Sequence, residues 1–203
     1  MDTIRYLSAL LIVITLPFAF TFWLLIHPLA PFWRRRGPAL TYTVVGAIGV
    51  ALAAIVYRAR SPLLAVEYGT SYPLATLGLL LIIGAMIIGR QRRRMLTWRI
   101  LAGVPELSRA AGPGRLLKEG IYARVRHPRY VEAILGLCGY AVIANYLASY
   151  AGVAIGVPVI YLIVLLEERE LRARFGAEYA DYCRDVPRFV PRLHPRPGET
   201  RNG

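Results

Sequence analysis

Lysine is nearly absent. Of the 25 basic residues in this 203-residue chain, Lys118 is the only lysine and the rest are arginine. Acidic residues are scarce too, 12 in all, so the formal net charge is +13. Charged side chains make up 18% of the chain, against about 25% in a soluble domain. With 56% hydrophobic residues and a mean hydropathy of +0.46, that deficit excludes a disordered chain, a collagen-like chain and an ordinary soluble globule. Cysteine is limited to Cys138, inside an apolar block, and Cys183, inside a charged tail. Settings so different argue against a structural disulfide, and neither spacing fits a metal site. No internal repeat or low-complexity segment is visible. The chain reads as one membrane domain over residues 1–203.

The apolar residues are gathered into five blocks. Ile4 to Ile26 is interrupted only by Arg5. At ~1.5 Å per residue it covers ~34 Å, enough for ~30 Å of hydrocarbon. It is longer than the core of a signal peptide, and no A-x-A-like cleavage site follows. Pro31, Phe32, Trp33 and Arg34 to Arg36 follow instead, an aromatic and basic interface anchor. The other spans are 39–57, 72–89, 130–147 and 150–166. The last two are separated only by Ala148-Ser149, which predicts a tight helical hairpin. Gly136, Gly139, Gly152 and Gly156 are expected to let its two helices approach closely. The fold class expected is therefore an all-α polytopic membrane protein with about five transmembrane helices and an amphipathic C-terminal cytoplasmic helix.

Arginine placement orients the spans. The loop at 27–38 has three basic residues, segment 90–129 has eleven and the tail from Glu167 has eight, 22 in total. The opposite side has only Arg5, Arg58 and Arg60. By the positive-inside rule the N-terminus faces out, and the 90–129 loop and 167–203 tail share the cytoplasm, as in a multi-pass protein of a cell inner membrane. The same bias explains most of the net charge. Attraction to the anionic lipid bilayer accounts for it, and no aromatic and basic pattern suggests nucleic acid. No obligate protein partner is inferred.

A hairpin brings its two ends together. The segment before the fourth span, Gly120 to Tyr130, includes Arg126, His127 and Pro128; Glu167 and Glu168 follow the fifth span. These groups are expected to meet at one membrane face. Proline suits the first turn of a helix, so a helix should begin near Pro128 with His127 at its cap. Its N-terminus then favours a carboxylate, such as the amino-acid end of a cofactor. The bland alternative makes Arg126 and Arg129 snorkelling anchors and His127 an ordinary cap. Glu132, inside an apolar span, is either functional or merely reaches water or Arg129. In the tail, Leu171, Phe175, Tyr179 and Tyr182 recur at helical spacing, with Glu168–Arg172 and Glu170–Arg174 as i,i+4 pairs. This reads as an amphipathic helix covering the mouth of the hairpin. Adjacent Glu167 and Glu168 point about 100° apart, so one could accept from cofactor hydroxyls while the other pairs with Arg126.

These segments resemble the signature of the isoprenylcysteine carboxyl methyltransferase and phospholipid methyltransferase family of integral membrane methyltransferases. The matching residues are Gly120, Tyr122, Arg126, His127, Pro128 and Tyr130, then Glu167, Glu168, Leu171, Phe175, Gly176, Glu178, Tyr179 and Tyr182, then Val186, Arg188 and Pro191. Glu132 stands where the family often has glycine. The resemblance implies S-adenosyl-L-methionine-dependent methyl transfer onto a lipid-like or small hydrophobic acceptor, with O-methylation of an isoprenylcysteine-like carboxylate favoured. It implies a cofactor pocket of Tyr122, Arg126, His127, Pro128, Tyr130, Glu167, Glu168, Tyr179 and Tyr182. Arg188 would also close that pocket from the tail, and Glu132 and Arg188 are the candidates for the chemistry itself, with no metal. Phospholipid N-methylation, S-methylation of a small thiol, an NADPH-dependent membrane reductase of related fold and a non-catalytic membrane protein are the alternatives.

Overall fold

A computed structural model describes residues 1–26, 29–95 and 116–191. Its helices are α1 (Asp2–Ile26), α2 (Ala30–Arg36), α3 (Pro38–Arg58), α4 (Arg60–Leu63), α5 (Tyr72–Met95), α6 (Pro128–Ala144), α7 (Leu147–Phe175) and α8 (Ala177–Asp185), with a 3₁₀ turn at Gly120–Ala123. Among the described residues there is no strand, only an isolated Glu67–Tyr146 bridge. The chain is an all-α polytopic membrane protein. Among the described residues, four helices are long and apolar enough to cross a membrane: α1, α3, α5 and α7. α6 has 17 residues, ~25 Å at ~1.5 Å each, and its residues 132–143 lie level with residues 78–89 of α5. The middle of the 90–129 loop (96–115), residues 27–28 and the tail beyond 191 lie outside the described residues.

Three boundaries differ from the sequence expectation. α5 does not stop at Gly89 but runs on to Met95 through Arg92, Arg93 and Arg94. Arginine, glutamine and methionine are good helix formers, and cations are favoured in a last turn. The hairpin turn is Asn145-Tyr146, not Ala148-Ser149. Asn145 adopts φ 55°, ψ 47°, a left-handed conformation that asparagine tolerates better than most residues. Its amide nitrogen donates to the Gly69 carbonyl at 2.9 Å, and its amide oxygen accepts from Tyr150 at 2.7 Å. Finally, the tail is two helices. α7 continues through Glu167 to Phe175, and Gly176 (φ 54°, ψ −124°) breaks it from α8 in a region of backbone space nearly closed to other residues. Leu171, Phe175, Tyr179 and Tyr182 still pack into one cluster across that break, joined by Leu116, Cys183 and Val186.

Among the described residues the most extensive packing is α5 against α6, antiparallel. Of the four glycines expected in the α6–α7 seam, only Gly156 faces it, against Leu137. Gly139 instead faces Gly78 of α5: a Cβ on Gly139 would lie 2.9 Å from the Gly78 carbonyl oxygen and 2.8 Å from Ile82. Gly152 faces Ile12 and Leu16 of α1, and a Cβ on Gly136 would meet nothing within 4 Å. Glycine is spent where two backbones nearly touch. Gly139→Val should therefore lower the thermal midpoint in detergent through overpacking worth about 1–3 kcal/mol, whereas Gly136→Ala should leave it near the wild-type value.

At the end of the bundle away from α8, Arg5 is a clasp rather than an isolated charge in the first span. Its side chain is 3% exposed. Nε donates to the Ala144 carbonyl at 3.2 Å, Nη1 to Asp2 at 3.2 Å and Nη2 to Glu67 at 3.5 Å, beside the Tyr146 ring. Backbone bonds from Tyr68 to Asn145 and from Leu147 to Val66 tie the loop at 64–71 to the hairpin turn. Together these fix the register of α1, α6 and α7. That register carries through to their opposite ends, where Trp23 of α1 meets Tyr130 of α6.

Candidate active site

The site is built where α6 begins and the apolar part of α7 ends. Pro128 occupies the first turn of α6 with His127 at its cap position. The His127 side chain makes no capping bond; it turns towards α7, where Nε2 lies 3.1 Å from Glu168 Oε1. The residues just before α6 are held by the tail. Arg126 N–H donates to the Pro187 carbonyl at 2.9 Å, and His127 N–H to the Arg188 carbonyl at 3.2 Å. This two-rung backbone pairing, which no side-chain pattern announces, lays residues 187–188 across the N-terminus of α6.

Glu168 is the centre of the knot and is fully buried. Arg188 grips both its oxygens, Nε on Oε1 at 2.9 Å and Nη2 on Oε2 at 2.7 Å. Arg126 lies 3.4 Å from Oε1, and Arg172 donates to Oε2 at 3.3 Å. The bond to Glu168 raises the Arg188 pKa further above its already high ordinary value. Arg188 also donates to the Tyr161 hydroxyl at 3.1 Å. A carboxylate holding three guanidinium groups and an imidazole has no lone pair to spare. The pairing of one glutamate with Arg126 thus falls to Glu168, and Glu167 is left with acceptor capacity. Glu167 Oε2 is buried, makes no hydrogen bond and lies 4.0 Å from His127 Nδ1.

Aromatic residues wall this centre. The Tyr130 and Phe189 rings lie near His127, with centroids 5.9 and 6.3 Å away. Tyr179 and Tyr182 are buried against each other, and the Tyr182 hydroxyl donates to the Tyr122 carbonyl at 2.6 Å. Burial pushes the Tyr122 phenol up to about 12, with the Glu167 and Glu132 charges adding to the rise and Arg92 and Arg129 opposing it. Burial likewise lifts Tyr179 and Tyr182 above the usual phenol range. Raised folded-state values mean a contribution fully present below the unfolded pKa of about 10 and lost as pH climbs through the folded values. Thermal midpoints should accordingly fall steeply from pH 10 upward, and less steeply in Tyr122→Phe.

The structure thus brings together Tyr122, Arg126, His127, Pro128, Tyr130, Glu167, Glu168, Tyr179, Tyr182 and Arg188. Arg126 is not a snorkelling anchor: its side chain is 10% exposed and contacts both Glu168 and the Cys183 thiol. Arg129 lies over the Trp23 ring, 4.6 Å from its centroid. Glu132 is not in the knot. It faces α5, where Oε2 accepts from Arg92 Nε at 2.9 Å, with Arg92 Nη2 also 2.9 Å away, and Oε1 accepts from Arg93 at 3.3 Å. Sequence reasoning missed Arg92. Its signal was the shared helix face of Gly89 and Arg92, three residues apart at the end of an apolar span. Among the described residues, no group of three or more His, Cys, Asp or Glu is placed to hold a metal ion.

The fold and site define a helical membrane protein with a buried acid–arginine knot at one end of its bundle. Residues 73–178, just over half of the chain, match the phospholipid methyltransferase family, and the chain belongs to that family. It is 35% identical over 85 residues to the cobalt-zinc-cadmium resistance protein CzcN of Cupriavidus metallidurans, covering 42% of this chain and 39% of that protein. It is 33% identical over 78 residues to the nickel-cobalt-cadmium resistance protein NccN of Alcaligenes xylosoxydans xylosoxydans, covering 38% and 37%. A third relative is methanethiol S-methyltransferase 2 of Bradyrhizobium diazoefficiens, 41% identical over 80 residues, covering 37% of this chain and 29% of that protein. The chain thus spans two fifths or less of the length of the curated relatives it matches. No solved structure matches it significantly.

Proposed function

We propose that the chain is an S-adenosyl-L-methionine-dependent methyltransferase whose acceptor arrives from the membrane. The observation that carries this reading is the division between the twin carboxylates. Glu168 is saturated by the chain's own cations, while Glu167 keeps a buried oxygen with no hydrogen bond beside them. Such an oxygen suits hydroxyl donors of a ribose. Arg126 Nε, also buried without a bond, and the start of α6 suit a carboxylate. The aromatic faces of Tyr130, Tyr179 and Tyr182 suit a sulfonium cation. When bound, that cofactor supplies a methyl group on a positively charged sulfur. The protein's part is then alignment and exclusion of water. The backbone pairing of residues 126–127 with 187–188 and the Tyr182–Tyr122 bond hold the cover shut over the helix terminus. The arginine bias of the loops and tail supports an N-out, C-in orientation, with this site on the cytoplasmic face.

Two acceptor chemistries stand apart. The sequence resemblance favoured an isoprenylcysteine-like carboxylate. A thiol is favoured by the activity named for the Bradyrhizobium relative. The charge layout also supports an uncharged acceptor: Arg92, Arg93, Arg126 and Arg188 are all already paired with the chain's own carboxylates.

Calorimetric titration of the detergent-solubilised protein with S-adenosyl-L-methionine and with NADPH tests the cofactor. Saturable binding of the first alone is expected; binding of NADPH alone would turn the reading to a reductase, and binding of neither to a non-catalytic protein. Radiolabelled methyl transfer in native membrane extract, with identification of the product, tests the acceptor.

A further inference from the structure

Glu132 is placed in a cradle made for a carboxylate. The α5 face opposite it consists of Gly89, Arg92 and Arg93. At Gly89 a Cβ would overlap the Glu132 carboxyl, so glycine leaves the room the group occupies. Arg92 is a buried cation, 10% exposed at the side chain, and it turns two nitrogens onto one oxygen. A guanidinium fork on one side, a second guanidinium on the other and space cleared by a missing side chain together form an anion-binding constellation. This one sits beside the methyl-transfer site. The half-buried Tyr122 phenol senses the charges of Arg92 and Glu132 as well as that of Glu167, and the 3₁₀ turn carrying it packs on α5.

We infer that Glu132 is a built-in occupant of this anion cradle and makes the acceptor side of the site selective for an uncharged acceptor. The inference rests on the methyltransferase reading for its acceptor, but not for the cradle. With Glu132 in place, Arg92 and Arg93 are spent, and an incoming anionic head group would meet a carboxylate. With it removed, the same arginines would hold the carboxylate of a ligand. Glu132 is therefore a specificity-determining residue, not the proton acceptor of the reaction. Both of its oxygens are already engaged by guanidinium groups of α5.

The test uses the full chain in detergent, as wild type, Glu132→Gly and the double variant Glu132→Gly/Arg92→Gln. Glu132→Gly should lose thermal midpoint, and millimolar acetate, but not acetamide, should restore it. Acetate should do nothing for the wild type or the double variant. No acetate-specific gain in Glu132→Gly, or an equal gain without Arg92, overturns the cradle. If Glu132→Gly folds only when expressed in acetate, that is the same result read earlier; if acetate does not recover it, the cradle is overturned. Acceptor choice is read with butanethiol and 4-mercaptobutanoate. Wild type should methylate the uncharged thiol preferentially, and Glu132→Gly should shift the ratio of rates towards the charged one by roughly tenfold or more. Glu132→Gln, which keeps the size and removes the charge, should shift it in the same direction. Acetate rescue with an unchanged ratio overturns the selectivity role. Should wild type methylate neither thiol, the thiol reading of function fails, and the selectivity role then rests on which of the two thiols raises the Glu132→Gly midpoint.

Discussion

Glu168→Ala is expected to be the most damaging single substitution in this protein. The residue is fully buried, and removing it strands Arg126, Arg188 and His127 without the carboxylate that all three contact. Breaking a buried ion pair from one side costs about 3–5 kcal/mol, because the remaining charge is left uncompensated. Here more than one partner is stranded. The loss reaches beyond stability: Arg188 is anchored by Glu168, and its backbone carbonyl receives the His127 N–H. Releasing Arg188 therefore loosens the tail over the start of α6, and S-adenosyl-L-methionine binding should vanish in the folded fraction. Thermal unfolding in detergent and calorimetry on the same preparation measure both effects. Glu168→Gln should fall between, since an amide still accepts from Arg188 but carries no charge. An unchanged midpoint in Glu168→Ala would mean that the knot is not what fastens the tail.

That knot was legible in the sequence because it depends on chain geometry alone. Two apolar blocks with a short connection must return to the same membrane face, so His127 and Glu168 had to meet. Their separation of 41 positions did not obscure it. The contacts that stayed hidden join residues on helices whose relative rotation no run of apolar residues fixes. Arg5 meets the Ala144 carbonyl across 139 positions, and Glu132 meets Arg92 across 40. Membrane helices are apolar on all sides, so periodicity does not say which face meets which neighbour. For the same reason Gly139 was placed against α7 when it faces α5. The hairpin turn was displaced because Ala144, Tyr146 and Leu147 continue the apolar run through the bend, leaving Asn145 as its only polar mark. Gly176 was legible as part of a motif, yet its role as a break in the tail came only with its backbone angles.

Glu167→Gln is expected to do the opposite of Glu168→Ala: spare the fold and remove the ligand. Glu167 contributes little that the rest of the structure needs. Its nearest ionic partner, His127 Nδ1, is 4.0 Å away, and its buried oxygen has no hydrogen bond to lose. The thermal midpoint should therefore move by no more than a surface substitution's worth, about 0.5 kcal/mol in either direction. A hydroxyl bonded to a carboxylate is a different matter. Hydrogen bonds to charged groups contribute about 1.5–3 kcal/mol, so affinity for S-adenosyl-L-methionine should drop roughly ten- to hundredfold. The adenosine end of the molecule, which carries the ribose, gives a sharper comparison. S-adenosyl-L-homocysteine has the same ribose without the sulfonium, so it should lose affinity by the same factor. Methionine has no ribose, and its weak competition should not change. A loss confined to the sulfonium-bearing ligand would instead make Glu167 a partner of the positive sulfur, and an unaltered affinity for both nucleosides would place the ribose elsewhere.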